Sequence, residues 1–217
     1  MALRLFYHPF SSYCWKVLIP LYEAAIPFAP VTLEDPAAGA ELHALWPLGR
    51  FPVLVDGKRV LPEASIIIEY LTLHHPDRAV FLPVDADERL KVRLLDRILD
   101  NYVHAPMQAI VADRLRESAR RDAAGVERAR DTLDKAYAWL DARMAGREWA
   151  VGHGFTLADC AAAPALFYAD WVHPIDPRLA ALAAYRARLL ARPSVARVVD
   201  EARPFRPIFP GGAPARD

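Results

Sequence analysis

Charge of either sign is in no excess in this 217-residue chain, because 27 Lys and Arg offset 27 Asp and Glu. The electrostatic footprint of a general nucleic-acid binder is therefore missing, and the expected partner is small or proteinaceous. Cysteine is nearly absent as well: Cys14 and Cys160 stand alone. Two thiols are too few for a disulfide scaffold, and neither has ligating neighbours at useful spacing, so no metal is expected. Cys160, within the Ala-rich run Ala158 to Ala163, reads as a small buried hydrophobe. Long apolar runs are missing too; no segment approaches the roughly eighteen uninterrupted residues of a membrane span. The stretch Met1 to Tyr7 is too short for a secretory apolar core. A soluble, cytoplasmic protein without membrane contact is expected, and no repeat or charge block suggests a filament or a tail-mediated interaction.

What is present is ordinary globular material, 54% apolar against 25% charged, with room for one large or two modest domains. The first part alternates short strands and helices. Leu3 to Tyr7 alternates like a strand, Val17 to Ala25 has helical apolar spacing, Phe28 to Leu33 is strand-like and Glu41 to Trp46 helical. Val53-Leu54-Val55, the turn pair Asp56-Gly57 and Arg59-Val60-Leu61 form a hairpin signature. A helix over Ala64 to His74 follows, its buried stripe expected at Ile66, Ile67, Tyr70 and Leu71. A βαβ unit ahead of a hairpin and a helix predicts a mixed sheet covered by helices.

Pro76-Asp77 and Leu82-Pro83-Val84-Asp85 break the periodicity, which places a linker there and divides the chain into 1–83 and 84–217. No convincing strand follows. Asp87 to Leu115 reads as a long helix bent near Pro106, and Asp122 to Met144 as a second, with Leu133, Tyr137 and Leu140 on one face. Ala158 to Tyr168, Leu179 to Leu190 and Val195 to Ala202 read as shorter helices. The tail Pro204 to Asp217, with four prolines and two glycines, is expected to be extended or partly disordered. Thr156, three residues before Asp159, forms a capping box, and Asp159 is thereby a structural residue.

The most informative stretch is Ser11-Ser12-Tyr13-Cys14-Trp15-Lys16-Val17, at a strand-to-helix junction. Its spacing is that of C-x-x-C with the first thiol exchanged for a hydroxyl, at the place where a thioredoxin-like fold puts its nucleophile. A hydroxyl there cannot exchange disulfides, but it can donate a hydrogen bond to another molecule's thiolate. The plainer role of Ser11 is an N-cap that accepts from its own helix. Cys14 lacks a partner thiol and is expected to be packed within the helix.

The α/β first part, the helical second part, the Ser-x-x-Cys helix start, Gly49-Arg50-Phe51-Pro52-Val53-Leu54, Pro62-Glu63-Ala64-Ser65 and the capping box within Phe155 to Asp159 together resemble the cytosolic glutathione transferases. The similarity spans nearly the whole chain. The helix start most resembles the serine-type classes, zeta above all, and departs from zeta at Tyr13 and Leu18. The run Arg192 to Arg197 resembles bacterial-type members. The resemblance implies a thioredoxin-like domain followed by an all-α domain, a homodimer, and glutathione as co-substrate without a metal.

By the same resemblance Ser11, with Ser12 one register away, stabilises the glutathione thiolate. Pro52 matches a cis-proline whose neighbours Phe51 and Val53 expose backbone groups, Phe51 pairing with the cysteinyl unit. Arg50 reaches the glycyl carboxylate or remains a solvated loop charge. Glu63 accepts from the γ-glutamyl ammonium, and the amides of the following helix receive the γ-glutamyl carboxylate. The chain departs from the family where Ala64 replaces a usual serine, which removes a hydroxyl donor; Ser65 is the candidate to compensate. Asn101, His104 and Gln108 share one helical face, flanked by Tyr102 and Met107, either lining a cleft between the domains or solvated. Tyr7, Phe10, Tyr13 and Trp171 add an aromatic wall or are simply core. The expected reaction is attack of glutathione on a small hydrophobic electrophile. The rivals are an isomerase of the maleylacetoacetate type or a dehalogenase using the same thiolate, and a transferase-like binding or scaffolding protein without turnover.

Overall fold

A computed structural model describes residues 3–217; Met1 and Ala2, part of the N-terminal run considered above, lie outside them. Strand β1 (Leu3–Tyr7) leads into α1 (Ser12–Glu23), β2 (Phe28–Thr32), α2 (Pro36–Leu45), the hairpin β3 (Val53–Asp56) and β4 (Arg59–Pro62), and α3 (Ala64–His74). The sheet order is β2-β1-β3-β4, with β1 and β2 parallel and the other pairings antiparallel. Alternation along β1 sends Leu3, Leu5 and Tyr7 toward α1 and α3, and Phe6 to the opposite face against Leu42 of α2. The hairpin turns at Gly57, whose φ of 59° suits glycine.

Two expectations for this part are corrected. Helix α2 begins at Pro36 rather than Glu41, because Asp35 caps it by accepting from the Ala37 amide at 2.9 Å and Pro36 fits the first turn. The buried stripe of α3 is Ile67, Ile68, Tyr70 and Leu71, while Ile66 is half exposed to solvent (50%).

The segment between α3 and the helical part is packed: Ala79, Phe81 and Leu82 are buried, and the Phe81 carbonyl accepts from the Leu157 amide at 2.9 Å. Helices α4 (Ala86–Leu99), α5 (Ala105–Arg114), α6 (Ala123–Met144), α7 (Leu157–Val172), α8 (Ala180–Leu190) and α9 (Pro193–Ala202) follow. A π-helical turn at Asp100–His104 joins α4 to α5. Pro106 lacks the N–H and its ring crowds the carbonyl four residues earlier, and a widened turn accommodates both. Helix α7 is buried on every side, consistent with its alanine-rich sequence, and packs against α1, α4 and α8. Its first turn is locked by Asp159, which accepts from the Thr156 and Ala150 amides and from the Tyr185 hydroxyl at 2.6 Å.

The tail is neither extended nor loose. A 3-10 turn at Arg203–Ile208 delivers Phe209 into the core. Arg203 and Arg206 bind the Asp217 carboxylate, and Arg216 donates to the Asp170 carbonyl at 2.8 Å. Proline content set an expectation that these long-range ion pairs override.

Candidate functional site

The loop from β1 into α1 is held from outside the sheet. Trp15 Nε1 donates to the Pro9 carbonyl at 2.6 Å and the Tyr168 hydroxyl to the Phe10 carbonyl at 2.9 Å. Ser11 then caps α1, its Oγ accepting from the Cys14 amide at 3.4 Å, and remains partly exposed. That role uses a lone pair and leaves the hydroxyl hydrogen for another acceptor. Burial pushes the Cys14 thiol up to about 12, offset only in part by Ser11 and the His8 backbone, so it is no thiolate at neutral pH.

Ser12 points the other way. It is buried, with His104 Nε2 at 2.6 Å and the Gln108 side-chain amide donating to its Oγ at 3.1 Å. His104 is wholly buried and stacks on Tyr13, ring centroids 3.8 Å apart. Burial, aided by the Lys16 charge, drives the His104 pKa down to about 3, so the imidazole is neutral. Its Nδ1 has no hydrogen-bond partner among the described residues. An orphaned acceptor is more tolerable than an orphaned N–H, so the proton belongs on Nε2, facing Ser12.

One turn further along α1, the buried Lys16 places Nζ 2.6 Å from Asp96 and 2.8 Å from Asp100. Arg97 covers these carboxylates from the solvent side, with Nη2 2.7 Å from Asp96 and 2.6 Å from Asp100. Burial raises the Asp100 pKa, with Lys16 opposing.

Helix α3 starts beside this cluster. The Phe51–Pro52 peptide is cis, Pro52 is buried, and Val53 enters β3 opposite Pro62. Glu63, the residue before α3, is exposed and held at φ 70°, a left-handed conformation that costs a non-glycine residue about 1 kcal/mol or more. Its side chain does not cap the helix, which leaves the first amides of α3 without a side-chain partner. Ala64 is buried; Ser65 donates to Asp96 at 2.8 Å and accepts from Arg97 at 2.8 Å. Arg50 and Phe51 are exposed on the approach to β3. Burial raises the Tyr13 pKa, reinforced by Asp100 and Glu63 and opposed by Arg97 and Arg50.

Residues 5–79 match the family model described as glutathione S-transferase, N-terminal domain, and residues 123–188 the C-terminal domain of the same family. A solved glutathione S-transferase from Methylobacterium radiotolerans, in complex with glutathione sulfonate, is similar with a TM-score of 0.79 at 30% identity, covering 100% of this chain and 99% of that one. The chain belongs to the glutathione S-transferase family.

A stringent starvation protein A homolog of Coxiella burnetii is 30% identical over 87% of this chain and 86% of its own length. A probable maleylacetoacetate isomerase of Vibrio cholerae is 28% identical over 76% and 78% respectively. A solved glutathione S-transferase from Methylobacillus flagellatus with glutathione bound is also similar, with a TM-score of 0.81 at 26% identity, covering 91% of this chain and 98% of that one; among the described residues of this chain no cluster of His, Cys, Asp and Glu is arranged for a metal. No helix of the described residues is long and apolar enough to cross a membrane.

Within this glutathione S-transferase frame, the structure brings together Ser11, Ser12, Tyr13, His104 and Gln108, with Phe10 and Trp171 alongside. Phe10 lies edge-on to Tyr168 at 5.6 Å and Phe209 at 6.2 Å, and Trp171 is 5.1 Å from Phe209. Other sequence candidates fall elsewhere. Tyr7 faces Phe28 and lines a separate hollow of about 480 Å³ with Tyr22, Arg197 and Glu201. Met107 is buried in the core. Asn101 is exposed, and Tyr102 lines a groove of about 410 Å³ with Ile98, Ala136 and Trp139. The π turn explains the split: it changes the angular step, so Asn101 no longer projects with His104 and Gln108. Sequence reading missed Lys16, Asp96, Arg97, Asp100 and Phe209. One signal was available, a lysine inside an apolar helix matched by acids four residues apart in a later one.

Proposed function

We propose that this chain is a glutathione transferase in which Ser11 stabilises the glutathione thiolate for attack on a small apolar electrophile. The observation that supports this reading best is the partly exposed Ser11 as the N-cap of α1. A free thiol of pKa about 8.5 is only about 3% ionised at pH 7. A shift of about two units needs roughly 2.7 kcal/mol of preference for the anion. A hydrogen bond to a charged acceptor contributes about 1.5–3 kcal/mol and the helix end about 0.3–1 kcal/mol, so the two together suffice.

In this reading the exposed Glu63 carboxylate accepts from the γ-glutamyl ammonium, and the free amides at the start of α3 receive the carboxylate. The Phe51 and Val53 backbone on either side of Pro52 aligns the cysteinyl unit, and Arg50 meets the glycyl carboxylate. The electrophile sits against Phe10, Tyr13 and Trp171. Ser12 positions α1 against α5 rather than touching sulfur. Isothermal calorimetry with glutathione tests the reading: micromolar to low-millimolar binding supports it, and no heat at 10-fold higher ligand than about 1 mM overturns it.

The 28% identical relative named a probable maleylacetoacetate isomerase favours a second reaction for the same thiolate, an isomerisation. Turnover of maleylacetone without conjugation of an aryl halide would establish it in place of transfer; binding without either turnover would favour a scaffolding role. We further infer a cytoplasmic homodimer, formed through Ile66 of α3, Leu90 and Leu94 of α4 and the groove at Trp139, all exposed apolar residues. A monomeric mass in sedimentation at micromolar concentration would refute the dimer.

A further inference from the structure

The γ-glutamyl end of glutathione is zwitterionic, and its carboxylate needs donors at the start of α3. Ala64 offers an amide and no hydroxyl. Ser65 has one hydroxyl hydrogen, which it gives to Asp96 Oδ2 at 2.8 Å, so it cannot also donate to an arriving anion. What lies over Ser65 is a guanidinium. Arg97 Nη2 donates to Ser65 Oγ at 2.8 Å, Nε lies 3.2 Å from Asp96, and the side chain is 54% exposed. Its Nη1, with two N–H groups, makes no hydrogen bond among the described residues.

We propose that Arg97 takes the place of the missing hydroxyl and binds the γ-glutamyl carboxylate through Nη1 at the N-terminus of α3. The assignment rests on the glutathione reading above. Asp96 and Asp100 hold the guanidinium in place, and Lys16 balances them from within, so the cluster is near neutral before ligand arrives. The Nε and Nη2 donors of the planar fork are occupied by protein acceptors, and Nη1 remains for a carboxylate. Glu63, on the adjacent residue before the helix, supplies the opposite charge for the ammonium. Exchange of the family's hydroxyl for alanine thus leaves a donor at the site, supplied from α4 instead of α3.

The test compares two ligands by calorimetry: glutathione, and 4-aminobutanoyl-cysteinylglycine, which keeps the amine and lacks that carboxylate. Arg97→Gln is expected to weaken glutathione about ten- to a hundredfold and to leave the carboxylate-free peptide unchanged within about threefold. Ala64→Ser, introduced into Arg97→Gln, is expected to restore most of the glutathione affinity. Equal loss for both ligands would mean that Arg97 only supports the fold, and no loss for either would mean that it is not a binding residue; both overturn the proposal while leaving the glutathione reading intact. Wild-type protein that binds neither peptide removes that reading and this one together.

Discussion

Removing the Ser11 hydroxyl isolates the thiolate chemistry from the rest of the site. Ser11→Ala leaves α1 with its dipole and its packing and deletes one weak cap, because the Cys14 amide sits 3.4 Å from Oγ. The stability cost is therefore expected at the low end of the range for N-caps, about 0.5–1 kcal/mol. The chemical cost is larger. Loss of about 1.5–3 kcal/mol of preference for the anion corresponds to a rise of about one to two units in the pKa of the bound thiol. Starting from about 6.5, the ionised fraction at pH 6.5 falls about five- to fiftyfold and at pH 9.5 barely changes. Ser12 does not take over, because it is buried, with His104 Nε2 at 2.6 Å and the Gln108 amide at 3.1 Å packed against its Oγ. Ultraviolet titration of bound glutathione, run beside conjugation rates over the same pH range, reads both quantities. An unchanged thiol pKa in Ser11→Ala, with a raised one in Ser12→Ala, would refute the assignment of the thiolate to Ser11.

His104 links stability to pH. Its folded-state pKa, about 3, lies below the ordinary 6.5 because burial disfavours the cation. Between those values the unfolded chain binds more protons, so this contribution is full above pH 6.5 and is lost as pH falls toward 3. Chemical denaturation of His104→Gln should show a slope against pH that is shallower by up to about 1.4 kcal/mol per unit in that window; an unaltered slope would show that His104 is not buried neutral. Lys16→Met strips the buried Asp96 and the partly buried Asp100 of their internal partner and should destabilise the protein by about 3 kcal/mol or more, read as a lower urea midpoint. A loss under about 1 kcal/mol would mean that water or Arg97 already serves Asp96 and Asp100. Phe209→Ala should cost about 3 kcal/mol by emptying the space between Phe10 and Trp171, and should shift tryptophan fluorescence. An unchanged spectrum would show the tail to be undocked.

Much of this was legible locally. The hairpin followed from Asp56-Gly57 between two apolar runs, the start of α7 from Thr156 and Asp159, and the end of straight helix from Pro106. Each is a relation between neighbours, and the free energy involved is realised within one or two turns of chain. The start of α2 was equally local and readable at Asp35-Pro36. Ile66 was misplaced because Ile66, Ile67 and Ile68 are indistinguishable until the sheet fixes which face of α3 is inside.

The sequence by itself determined the family frame, the order of elements and the presence of a hydroxyl at the head of α1. Tertiary structure alone decided which serine faces outward, since Ser12 is claimed by His104, 92 residues away in the chain. It also decided that Ser65 is tied to Asp96 and that Arg97 lies over the start of α3. Those pairings are long-range side-chain contacts, and their partners are fixed only when the helical part docks on α1 and α3. The reason is physical: periodicity reports which face of a helix is apolar, whereas a buried charge or hydroxyl is placed by whatever polar group the docked neighbour brings to it.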